Sequence, residues 1–450
     1  MSFDVLIRGG VVGQRPLDVG VTDGLIAALG PELSGPATEE IDAAGLHLLP
    51  GVLDAHVHMN EPGRADWEGF ETGRRALAAG GATAAIDMPL NAHPPTVSGG
   101  AFDEKRHCLE RSALVDVALW GGLVPGGVEA MDELADLGVV GFKAFMCSSG
   151  IDDFEGVDDL TLYEGMCRAA ALGLPVAVHA ESESITAGLA RRARAAGRVA
   201  MRDFIASRPA IAELQAIARA IALALESGCS LHIVHVSTGR GVASVADARV
   251  RGVDVSCETC PHYLVLTEDD AEALGNVAKC APPLRPREES EALWQAIADG
   301  TLPMVASDHS PAPRMLKSDA DAFAAWGGIS GCQTMLPLLL SEGHLARGLE
   351  LDLITQITSG YVAGRFRLTG KGRLEPGADA DLVLVNLSAS QKLSAGDLYY
   401  RHPHSPFLGR TLNAGVVRTL VRGQTVFADG RIIGPPAGRL LIPENRTESP

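Results

Sequence analysis

The hydrophobic rhythm of the chain changes twice. Residues 1–50 carry short β-rich runs at 4–8, 18–21 and 25–29, cut by Gly and Asp, with no helix-period stretch of useful length. Residues 373–430 return to that style at 381–385, 416–421 and 425–427. The middle alternates instead. Apolar runs at 49–58, 82–88, 115–120, 139–143, 175–179, 231–235, 253–256 and 303–308 read as buried strands. Between several of them lie helix-type stretches, such as 67–79 and 211–226 (IAELQAIARAIALALE), with apolar residues at three- and four-residue steps. Eight strand-then-helix units predict an α/β fold, a parallel (β/α)8 TIM-like barrel. A doubly wound open sheet is the alternative that strand count alone leaves open. Neither β-rich end can cover a hydrophobic face alone, so both termini are expected to build one small β-sandwich. The expected boundaries are 1–50 for its N-terminal part, 51–372 for the barrel, and 373–450 for its C-terminal part and tail. The tail from Pro443 is polar and expected to be loose.

Composition narrows the function classes. A net charge of −18 repels phosphate backbones, so nucleic acid is not an expected partner. No apolar run reaches the ~20 residues needed to cross a bilayer, and the start lacks a basic, apolar leader, so a cytoplasmic protein without membrane partners is expected. The 8 cysteines are scattered through a long chain, which argues for buried free thiols rather than a disulfide framework. Cys257 and Cys260 form a C-x-x-C with no second pair at zinc-ribbon spacing.

The candidate chemistry sits where apolar runs stop. Residues two apart on a strand share a face, so His56 and His58 project together. Two imidazoles aimed at one point make a metal clamp. Alone, such a pair is more readily a chance of the core. Lys143 (GFKAF), His179 (VAVHAE), His235 (HIVHVS) and Asp308 (VASDHSP) end four more predicted strands. In a barrel, strand ends converge on one mouth, where barrel active sites lie. Lys143 is unusual there, because burial should lower its pKa and favour a neutral amine. Such an amine can add carbon dioxide, giving a carbamate that bridges two divalent metals. Asp308 can bind a metal through one oxygen and take a proton from water through the other. Two metals ~3.5–4 Å apart would hold a bridging hydroxide, with the water pKa lowered from ~15.7 towards ~7. That nucleophile beside a Lewis acid argues for hydrolysis of a carbonyl compound. Among the remaining histidines, His262 is expected to line the seventh loop, His309 to point away from Asp308, and His232 to face elsewhere. His47, His93, His107, His344, His402 and His404 read as structural or surface residues.

HVH with the downstream Lys, His, His and Asp resembles the cyclic amidohydrolases: allantoinases, dihydropyrimidinases or hydantoinases, and dihydroorotases. The similarity runs from DVLIRGGVV through GRLEPGADADLVLV to VRTLVRGQTVF. The smaller motifs EPGRADWEGFETG, DMPLN, GFKAF, SRP, CETCPHYLVL, KCAPPLR, SDHSP, AWGGISGCQ and YRHPHSPFLGR are most similar to the allantoinase branch. The hydantoinase or dihydropyrimidinase branch is the alternative. The resemblance implies the barrel with a two-ended sandwich, a homotetramer, and a small ureide as substrate. It implies two divalent metal ions, zinc first, with cobalt, nickel or manganese as substitutes. His56, His58, Lys143 as N6-carboxylysine and Asp308 would hold one ion, and Lys143, His179 and His235 the other. The bridging hydroxide would attack a ring carbonyl, and Asp308 would move its proton to the leaving nitrogen.

Asn60 occupies the place where dihydroorotase-like chains carry an Arg. An amide cannot neutralise a carboxylate, which disfavours dihydroorotate and suits a neutral ureide. Dihydropyrimidinases carry a Tyr in the loop after the lysine, and here 144–150 has none, which leaves Ser148 or Ser149 as candidate helpers. Ala281 and Gly327 match turns whose backbone holds the ring in hydantoinases, and Asn91 is a further candidate at the mouth. A non-catalytic scaffold on the same barrel is the rival class. Such relatives lack several ligands, whereas here all these positions are filled.

Overall fold

Eight parallel segments run round a closed ring in the computed structural model, which describes residues 2–112, 114–434 and 437–444. Val52–Val57 pairs with Ala82–Asp87, which pairs with Asp116–Leu119. That third segment continues into Gly121–Gly122, the neighbour of Phe142–Phe145, and the ring proceeds through Val176–His179, Leu231–Ile233 and Val255–Cys257. Single bridges complete it, Thr259 to Val305 and Val57 to His309. Closure at His309 excludes the open sheet. Every residue of the named barrel strands is buried, which is why they read as continuous apolar runs rather than alternating ones.

The helices follow the sequence pattern closely. Gly69–Ala79 and Ala210–Ser227 stand where 67–79 and 211–226 were expected. The second buries Ala212, Ala216, Ile217, Ala220, Ile221 and Ala224 along one stripe and leaves Ile211 and Leu225 in solvent. Two strand expectations shift. Segment 139–143 is a strand only from Phe142 to Phe145, so Lys143 lies inside it rather than at its end. Segment 303–308 makes bridges rather than a regular strand, because it departs from its neighbours to turn at Asp308.

Strands from both chain ends form one nine-stranded sheet. Leu382–Asn386 lies between His47–Pro50 and Gly415–Val421. Phe3–Val12 pairs with Arg15–Thr22 on one edge; on the other it pairs first with Ala37–Asp42, then at Val11 with His47. The sheet divides there, and its parts share a core that includes Val5, Ile7, Val19, Ile26, Leu48, Leu382 and Leu420. It sits against the N-terminal ends of the first three barrel strands. Gly51 N–H donates to Asp381 O (2.8 Å), and Thr419 Oγ1 donates to Ala78 O (2.7 Å). Lys371 Nζ, buried at that junction, reaches Asp116 (2.6 Å), Asp379 (2.8 Å) and Asp381 (2.6 Å). Of the expected loose tail, Glu444 N–H donates to Arg367 O (3.1 Å), and residues 445–450 lie outside the described residues.

Candidate active site

At the opposite end of the barrel, the strand ends gather their polar side chains. His58 is held by the ring closure itself, its N–H donating to His309 O (2.8 Å). His56 Nε2 lies 3.3 Å and His58 Nε2 3.5 Å from the same oxygen, Oδ1 of Asp308. Across the mouth, His179 Nδ1 and His235 Nε2 face each other at 3.1 Å, and the His235 ring lies 5.5 Å from that of His56. Lys143 Nζ stands 5.0 Å over the Phe145 ring, which in turn stacks on His179 at 4.6 Å. His235 and Asp308 adopt left-handed backbone (φ 40° and 44°), as do Asn60 and Asn91 (63° and 68°). Such strain at non-glycine residues persists only where surrounding structure over-determines it, and here it turns His235 and Asp308 out of the strand direction.

The outward nitrogens are fixed from behind. His56 Nδ1 meets Glu258 Oε1 at 2.6 Å, and His179 Nε2 meets Glu181 Oε2 at 2.8 Å. A carboxylate assigns the proton to the nitrogen it faces, so His56 Nε2 and His179 Nδ1 carry their lone pairs into the mouth. Burial holds Glu258 back from ionising, but His56 and His232 outweigh it and bring the carboxyl down to about 2. Burial keeps His58 and His179 below the ordinary imidazole value and His235 well below it. Burial opposes charge on Asp308 too, yet His56, His58 and His235 hold its carboxyl well below the carboxylate range.

Neutral imidazole lone pairs converging on a carboxylate make a site for a cation. The ligand atoms of His56, His58 and Asp308 all lie within 4.8 Å of one another. Lys143 Nζ is buried with no hydrogen-bond partner, and burial brings the amine down to about 8 against the pull of Asp308 and Glu258. An orphaned amine amid convergent ligands fits conversion to an anionic bridging group. The donor set therefore fits the expected pair of divalent ions.

A cavity of about 310 Å³ opens from this cluster. Asn91, Ala281 and Gly327 line it, as do Ser148 and Ser149 of the Tyr-less loop. Asn60 is fully buried but off the cavity. Its left-handed backbone accompanies an amide that donates to Pro311 O (3.1 Å) and so braces the segment after Asp308. His262 is buried behind the mouth, where burial lowers it to about 4, and is not on the cavity surface. His309 points away from the cluster, 3.7 Å from Glu68. His232 lies behind it, 3.1 Å from Glu258. His93 pairs with Asp153, and His107, His344, His402 and His404 bond to main-chain oxygens. His47 is half-buried in the terminal sheet. All eight cysteines are free thiols.

Three polar residues escaped the sequence reading. Glu258 and Glu181 orient the histidines, and Arg208 locks Glu181 at 2.6 Å while lining the cavity. A signal existed: each lies in a quoted motif (CETC, HAE, SRP). A charged residue flanking an apolar run is common enough that only the fold distinguishes it.

The Amidohydrolase family matches residues 47–426. The chain belongs to this family. Among relatives of this amidohydrolase, the allantoinase of Rubrobacter xylanophilus is 60% identical over 98% of each chain. The allantoinase of Solibacter usitatus is 53% identical over 99% of this chain and 98% of its own. That of Escherichia coli O127:H6 is 42% identical, over 95% and 96%. Among solved structures, the amidohydrolase is similar to the L-hydantoinase (dihydropyrimidinase) from Arthrobacter aurescens. The TM-score is 0.94 at 35% identity, covering 98% of this chain and 100% of that one. The dihydropyrimidinase from Brevibacillus agri NCHU1002 gives 0.91 at 30% identity, covering 98% of each.

Proposed function

We infer that this chain is an allantoinase, opening the hydantoin ring of allantoin to allantoate. The observation that carries the reading is full-length identity of 42–60% to allantoinases, joined to the convergence of His56, His58 and Asp308 at the barrel mouth. The hydantoinases match the fold closely, at TM-scores of 0.94 and 0.91, but the sequence less, at 35% and 30%.

In this reading His56, His58, Lys143 and Asp308 hold one divalent ion, and Lys143, His179 and His235 hold the other. Zinc is the first expectation, with cobalt, nickel or manganese as substitutes. Lys143 acts as N6-carboxylysine: its ammonium gives up one proton to become the neutral amine, which adds carbon dioxide and loses a second, so an anion replaces a buried cation. When bound, the ions supply an acidified water and a Lewis acid for the ring carbonyl. Asp308, ionised and at the mouth, accepts a proton from the attacking water and passes it to the departing ring nitrogen. One C–O bond forms, the ring C–N bond breaks, and the product carries a new carboxylate. Asn91 and the backbone at Ala281 and Gly327 line the space for the ureide. A cytoplasmic homotetramer is the proposed state in the cell; among the described residues no helix is long and apolar enough to cross a membrane.

The test is turnover of allantoin by the purified protein beside a dihydropyrimidine, a 5-substituted hydantoin and dihydroorotate, with metals counted on the same sample. The reading expects allantoin to be fastest, with about two ions per chain. Faster turnover of a hydantoin or dihydropyrimidine would transfer the chain to the neighbouring activity with its chemistry intact.

A further inference from the structure

One wall of the cavity is main chain, residues 325–328, and two buried lysines hold it. Lys317 Nζ donates to Gly328 O (2.5 Å), Trp326 O (3.4 Å) and Asn276 O (3.4 Å). Lys279 Nζ donates to Ala325 O and sits 4.5 Å over the Phe204 ring. Lys279 O also accepts from Gly328 N–H (2.8 Å), so Gly328 is held from both sides. Among the described residues no carboxylate pairs with either ammonium; Asp321 acts on Lys279 only through space. Burial lowers Lys279 to about 8, with Arg208 acting in the same direction, and lowers Lys317 to about 7, with Lys279 acting in the same direction.

Burying two amines without a carboxylate partner is costly, and a methyl-ended side chain would fill the space more cheaply. What the lysines supply is directional donors for carbonyls that the wall leaves unpaired. The wall is also keyed to the site. Gly328 has φ 139°, and a Cβ there would lie 2.5 Å from Ser310 O. Ser310 N–H donates to Ile329 O (2.9 Å), two residues beyond Asp308. Displacing the wall therefore displaces it relative to Asp308.

We propose that Lys279 and Lys317 are positioning residues that clamp backbone 325–328 in register with Asp308, setting affinity for the cyclic ureide more than the rate of its hydrolysis. The inference rests on the functional reading above. Its test is K279M and K317M, assayed for allantoin kinetics, metal content and amide hydrogen exchange of segment 323–330. Each variant is expected to raise KM about tenfold or more while kcat falls less than about threefold, with metal content unchanged and exchange in the segment accelerated. K279Q and K317Q, which keep an amide donor, are expected between wild type and the methionine variants, and they carry the test if the methionine variants do not fold. Wild-type KM, or a fall in kcat at constant KM, overturns the proposal. If the wild-type protein does not turn over allantoin, the functional reading fails, and exchange alone decides the clamp: an unchanged rate overturns it.

Discussion

Lys143 shows how a single side chain can declare chemistry. It is wholly buried, its amine has no partner, and the surrounding ligands carry lone pairs rather than protons. Lys143→Met is expected to fold and to lose bound metal together with activity, as metal analysis and assay of one preparation would show. Asp308→Asn keeps the volume but cannot accept the proton, so kcat should fall by about 10²–10⁴ with metal still measurable. Glu258→Gln still contacts His56 but no longer assigns its tautomer, and metal affinity should weaken about 10–100-fold in a chelator competition. The cluster of six proposed ligands was legible because His, Lys and Asp within or beside apolar runs are chemically out of place. Asn60 was not, because its direction depends on a backbone angle that residue identity does not encode.

Elements matter here through what ties one to the next. Glu213 lies inside the helix Ala210–Ser227, yet it is buried and accepts from Ser237 N–H (2.7 Å), Ser237 Oγ (2.9 Å) and Thr238 Oγ1 (2.9 Å). Arg285 Nε completes the knot, donating to Ser237 Oγ at 2.9 Å. The helix thus fixes the loop that begins two residues after His235. Glu213→Ala orphans three donors, each costing about 1–3 kcal/mol when buried, so a large fall in the unfolding midpoint is expected in thermal melts. Metal retention should fall with it, because His235 loses its support. The helix itself was plain from its apolar period, but that period gives no sign that Glu213 is buried. The strands of the barrel were legible because burial on both faces leaves no polar alternation. Ala37–Asp42 was not distinguished within the first fifty residues: its side chains are mostly exposed, and backbone pairing with Phe3–Val12 is what makes it a strand.

Over the whole molecule, the terminal sheet and the barrel are riveted by Lys371 among three aspartates, with Arg422 adding a 2.5 Å contact to Asp116. Burial works against the Lys371 ammonium, but Asp381 and Asp116 outweigh it and raise its pKa above 10.5. Its contribution is therefore fully present below pH 10.5 and is lost as pH rises through the higher folded value. The unfolding midpoint of the wild-type protein should drop across that alkaline window. Lys371→Met, which strands the carboxylates, should begin about 3–5 kcal/mol lower and lack the alkaline step. Eight strand-and-helix units pointed to a barrel without excluding an open sheet, whereas this rivet left no sign at all, since its four charged residues are spread from 116 to 381. The placement of Leu382–Asn386 between His47–Pro50 and Gly415–Val421 also bears on biosynthesis. As the polypeptide leaves the ribosome, His47–Pro50 emerges more than three hundred residues before the strand that covers its open edge. Through most of translation that edge is bare, a template for pairing with neighbouring nascent chains. Completion of this sheet therefore comes late in synthesis, and the yield of folded protein in a cell is expected to depend on how well the waiting edge is shielded.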